Sequence, residues 1–135
     1  MDFEFIQYHI SKPNYITSSS IISKTVKLEK NESPPITDRI VLIENADPGY
    51  DWIFTKNPSG LITKYGGIAS HMAIRCAEIG LPAAIGCGEL IYDRLLSSSE
   101  ILLDCKNHQI MILENEETDQ YTEERKVLKS LGYIK

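Results

Sequence analysis

The stretch Gly66-Gly67-Ile68-Ala69-Ser70-His71 sets a histidine directly behind a serine and shortly after a glycine pair. Each residue type has a physical use there. Paired glycines tolerate positive φ and let a ligand approach the backbone closely. Serine is a preferred N-cap, so Ser70 is expected to start a helix. His71 then falls in the first turn, where unpaired backbone N–H groups and the helix dipole favour negative charge. The same field disfavours an imidazolium, which leaves a neutral ring with one nitrogen able to attack. A group added to that nitrogen as an anion would be stabilised by the surrounding amides. Gly66, Gly67 and Ser70 are therefore the candidate anion-binding residues around a nucleophilic His71. Arg75 shares the helix face one turn on and is a further candidate. Local physics alone also allows His71 to be an ordinary surface histidine, and Arg75 to be a solvated side chain.

Other residues with chemical potential have plainer readings. His9 lies in an irregular N-terminal segment and His108 in an expected hairpin turn, so both read as structural or surface residues. Asp47 precedes Pro48 and suits a helix cap. Asp51 lies nearby, but no spacing distinguishes an acid/base carboxylate pair from capping. Tyr50, Trp52 and Phe54 read as core. Cys76, Cys87 and Cys105 are odd in number and lack CxxC spacing, which argues against a disulfide framework or a zinc cluster. They read as small buried apolar residues. Cys76 and His71 would not share a helix face, so a thiol or metal enzyme built on them is a weak alternative. The stretch around Ser70 is not the G-x-S-x-G of a nucleophile elbow, and no P-loop is present.

The elements that must position His71 can be read from pattern. Ile21 to Leu28 alternates as a strand, and Arg39-Ile40-Val41-Leu42-Ile43 is a continuous apolar run of central-strand character. Asp47-Pro48 opens a short helix carrying Tyr50, Ile53 and Phe54, ended by Asn57-Pro58-Ser59-Gly60. Leu61 to Thr63 is a short strand, and Ser70 to Ile79 a helix ended by Gly80 with Pro82 beyond. Ala83 to Ile85 is strand-like. Glu100 to Asp104 and Gln109 to Leu113 form a hairpin around Cys105-Lys106-Asn107-His108. The fold class is α/β, with a core expected over residues 1–113. Residues 114–135 begin as an acidic linker and include a possible amphipathic helix over 122–131.

Composition narrows the function classes. The 135 residues suit one compact domain, with 42% hydrophobic and 24% charged residues. A formal net charge of -5 argues against a nucleic-acid partner. No apolar run is long enough to span a membrane. The N-terminus lacks a secretory pattern, so a cytoplasmic location is expected.

The stretch Gly66-Gly67-Ile68-Ala69-Ser70-His71-Met72-Ala73-Ile74, continued by Glu78-Ile79-Gly80-Leu81-Pro82-Ala83-Ala84-Ile85-Gly86, closely resembles the phosphohistidine signature of phosphoenolpyruvate (PEP)-utilising enzymes. Lys12 to Thr17 and Ile40 to Thr63 resemble the synthase- and dikinase-like branch, so the likeness covers residues 12–113. By position, His71 matches the phosphorylated histidine. One departure is Ala77, which stands before Glu78 where many members carry arginine. The resemblance implies a swivelling β/β/α domain with a short C-terminal appendage. It implies a phosphocarrier relaying a phosphoryl group through His71, from an ATP-grasp-type nucleotide-binding domain or subunit to a pyruvate/PEP-type acceptor. ATP and magnesium would then bind the partner domain, with no cofactor or metal on this one and no complete turnover from the chain alone. A non-catalytic binding or regulatory module keeping the same fold is the alternative.

Overall fold

The computed structural model describes residues 4–6, 13–29 and 34–115, with only the backbone of residues 4–6 and 114–115. Eight strands run in one curled sheet: β1 (Glu4–Ile6), β2 (Asn14–Ile16), β3 (Ser20–Lys27), β4 (Ile40–Asn45), β5 (Gly60–Tyr65), β6 (Ala83–Ile85), β7 (Ser98–Asp104) and β8 (Gln109–Asn115). Their spatial order is β1-β8-β7-β3-β4-β5-β6-β2. The centre, β3 to β6, is parallel, and β7, β8, β1 and β2 join antiparallel. β3 belongs to both halves: Ser20 to Lys24 pair with β7, while Thr25 to Lys27 pair with β4.

The continuous apolar run in β4 has a direct cause. Ile40 and Leu42 face one core, shared with Ile62, Ala84, Ile101 and Leu103. Val41 and Ile43 face the other, shared with Leu61, Ala83, Ile85 and Ile53. A central parallel strand buried on both faces cannot alternate polar with apolar residues. The first core is closed by α2 (Glu89–Leu96) through Ile91, Tyr92 and Leu95. The second is closed by α1 (His71–Ile79) through Met72, Ala73 and Cys76, and by Ile53 of a short helix.

That short helix, Pro48–Lys56, is 3₁₀ in form. Asp47 caps it as expected, its Oδ1 accepting from the Gly49 amide at 2.8 Å. Tyr50, Trp52 and Phe54 are only half-buried, packed on the rim of the second core. α2 has no start signal in the sequence. Its N-cap is Gly88, with φ 86° and no side-chain cap, so no hydroxyl or carboxylate marks its start. β2 likewise carries no strand signal of its own in the sequence. It pairs over three residues with β6, too few for a periodic pattern. The helix expected over 122–131 and His9 lie outside the described residues.

Two loops cross at the carboxyl ends of β5 and β6, and Thr63 joins them. Its buried Oγ1 donates to the Tyr65 carbonyl at 2.9 Å and accepts from the Gly86 amide at 2.9 Å. Thr63→Val keeps the shape but strands the Gly86 amide, while the Tyr65 carbonyl keeps its bond from the Ala46 amide, so the change should cost about 2 kcal/mol. Urea unfolding should therefore show a lower midpoint with an unchanged slope.

Candidate functional site

The loop from β5 into α1 carries the residues singled out by sequence. Ser70 N bonds to the Gly67 carbonyl at 3.0 Å, closing a tight turn. Ser70 Oγ then accepts from Ala73 N at 3.3 Å, so the hydroxyl is engaged in capping. The first-turn amides of His71 and Met72 have no acceptor within the helix, as helix geometry requires. His71 is the first residue of α1, and its side chain is 44% exposed. The site therefore lies outside the carboxyl ends of parallel strands, where open α/β sheets place their ligands.

The two glycines of the pair have different reasons to be there. Gly66 has φ 132°, and a Cβ on it would meet the Ala46 Cβ at 2.7 Å. Its carbonyl also lies against Gly86, where no side chain would fit. Gly67 has neither constraint: its φ is not in the left-handed region, and a Cβ there would meet nothing within 4 Å. Nothing in the described structure requires glycine at 67.

Asp51 is the residue that sequence reasoning missed. It projects from the 3₁₀ helix, and its Oδ1 lies 2.8 Å from His71 Nε2. Arg75 Nε stands 3.4 Å from the same oxygen, too poorly aligned for a full hydrogen bond, and its Nη1 is 3.8 Å from Glu78 Oε2. The Arg75 guanidinium also covers the Phe54 ring at 5.3 Å. Arg75 is thus held one turn from His71 by two carboxylates and an aromatic face. The hydrogen bond from His71, with the Arg75 charge beside it, holds the Asp51 carboxyl below its usual range. In the neutral ring a carboxylate at Nε2 selects the tautomer with its proton there. No local signal could reveal this contact, because Asp51 and His71 are 20 residues apart and meet through packing of α1 on the 3₁₀ helix.

The remaining candidates lie elsewhere. His108 sits in the β7–β8 turn with φ 54° and stacks on Tyr15 at 5.0 Å. Cys76, Cys87 and Cys105 are buried, and none is in a disulfide. Burial pushes the thiols of Cys76 and Cys87 up to about 12, well away from nucleophilic reactivity. An open depression at the ends of β3 and β4, lined by Lys27, Glu44, Asp47 and Tyr50 among others, does not include His71. Among the described residues no helix is long and apolar enough to cross a membrane.

Comparison with known proteins supplies independent information. The family profile described as "PEP-utilising enzyme, mobile domain" matches residues 36–108. The phosphoenolpyruvate synthase of Escherichia coli (strain K12) is 30% identical over 66 residues, 49% of this chain and 8% of that protein. The synthase of Synechocystis sp. is 36% identical over 66 residues, 48% of this chain and 8% of that protein. The matched region thus spans under a tenth of either relative's length. In structure, a UPF0107 protein solved by solution NMR superposes with a TM-score of 0.57 at 10% identity, covering 76% of this chain and 98% of that one. That likeness concerns the fold alone.

Proposed function

The chain belongs to the family of PEP-utilising enzyme mobile domains, and from that premise we propose that it is a swivelling phosphocarrier using His71. One observation carries the reading: a half-exposed histidine opens a helix outside the ends of parallel strands, beside first-turn amides that have no acceptor within the helix. A group that two different active sites must reach in turn has to be presented in this way. Loading would proceed by attack of a ring nitrogen on phosphorus as the phosphorus–oxygen bond to the nucleotide breaks. Discharge would run the same step onto a pyruvate/PEP-type acceptor. Such transfers depend on positioning and charge stabilisation. A partner domain of ATP-grasp type would supply ATP and magnesium, and this chain the nucleophile and nearby amides.

The test is incubation with the nucleotide-binding partner, magnesium and ATP labelled in its β- and γ-phosphates. Acid-labile, alkali-stable label on this chain supports the carrier. An unlabelled chain beside a partner that turns over ATP would instead make it a binding module.

Gly67 offers a second test, because the fold does not explain its identity. If its bareness serves an incoming phosphoryl group, Gly67→Ala should leave the unfolding midpoint within about 0.5 kcal/mol of the parent. Labelling should nonetheless slow by about tenfold, since small misplacements are costly in transfer geometry. Stopped-time labelling beside thermal unfolding separates the two effects.

A further inference from the structure

We propose that Asp51 sets the lifetime of the phosphoryl group on His71, pairing with the ring when it is empty and repelling the phosphate when it is loaded. The inference rests on the carrier reading of His71.

Asp47 already performs the capping of the 3₁₀ helix, which leaves Asp51 without that task. Its Oδ1 is instead shared between His71 Nε2 at 2.8 Å and Arg75 Nε at 3.4 Å. Around the empty ring these charges are complementary. Phosphorylation adds close to two negative charges beside the Asp51 carboxylate. The carboxylate then opposes the loaded state, and that opposition is relieved as the phosphoryl group departs. A carboxylate beside the ring also favours a proton on its second nitrogen, which makes the ring a better leaving group. Arg75 acts in the other direction. It is anchored one turn from His71 over Phe54, its buried Nε lacks a well-aligned acceptor, and a phosphate would draw it from Asp51. Asp51 therefore hastens discharge of the loaded ring, and Arg75 holds the loaded form.

Phosphoramidate, a small N-phosphoryl donor, tests this without any partner protein. In loading, its P–N bond breaks, a P–N bond to His71 forms and ammonia leaves. In discharge, the P–N bond to His71 breaks, water oxygen takes the phosphorus and inorganic phosphate is released. The discharge is followed by phosphorus NMR at neutral pH. Asp51→Asn keeps a hydrogen-bonding group but removes the charge, and should prolong the phosphohistidine about fivefold, the scale of a half-exposed charge pair. Asp51→Glu should return the lifetime toward that of the parent, and Arg75→Gln should shorten it about threefold. Nitrogen-15 spectra of the neutral, empty ring should place its single proton on Nε2 in the parent and show it exchanging between Nε2 and Nδ1 in Asp51→Ala. Equal lifetimes in the parent and Asp51→Asn, with label present on His71, overturn the inference and leave the carrier intact. A parent that takes no phosphoryl group on His71 overturns both.

Discussion

His71→Ala should take up no phosphoryl group from partner and ATP while unfolding at the same temperature as the parent. The two halves of this expectation have separate causes. The nucleophile is the only part of transfer that the carrier itself supplies covalently, so its removal leaves no slower route through the same site. His9 lies outside the described residues, and His108 stands in the β7–β8 turn against Tyr15. The fold should persist because the His71 side chain is 44% exposed and belongs to neither core. Alanine is also the best helix former, and the Ser70 cap remains. The assay is incorporated label at saturation set beside a thermal melt. Undiminished label in His71→Ala would move the phosphorylated residue elsewhere.

Gly86→Ala should damage the protein more than any single change near the site. Gly86 has φ 73°, a region costly for a residue with a Cβ. Its added methyl would also strike the Gly66 carbonyl, which is backbone and cannot rotate aside. Either the loop after β6 or the loop before α1 must shift, and Thr63 ties the two together. We expect a loss of about 3 kcal/mol or more, the range of strained and overpacked substitutions. Denaturant unfolding measures it directly. Labelling should fall as well, because the displaced Gly66 leads straight into the His71 turn. Gly67→Ala, one residue away from Gly66, serves as the comparison that isolates stability from transfer.

Much of this arrangement is legible in the sequence. The apolar run Ile40 to Ile43 marked a strand buried on both sides, and Ser70 with Gly80 bracketed α1 closely. The hairpin around Cys105 to His108 also formed where the turn residues placed it. These features depend on neighbours in the chain. What escaped depends on distant contacts or on missing caps. α2 starts at a glycine that offers no side-chain oxygen, so its apolar stripe Ile91, Tyr92 and Leu95 stood without a start signal. Asp51 and Asp47 looked alike in sequence, and only the packing of α1 against the 3₁₀ helix separates the cap from the histidine's partner. Gly66 and Gly67 were equivalent by residue type, whereas their surroundings give one a structural role and leave the other without one.

The divided pairing of β3 has a consequence for how the protein comes apart. Five of its residues are stitched to β7 and the next three to β4, with no loop between the two sets. Peeling the strand from the β7–β8 hairpin would tug directly on the ladder that supports the histidine end. Partial opening of one half is thereby transmitted to the other through continuous backbone. The two halves of the sheet therefore hold together, or give way, as one unit.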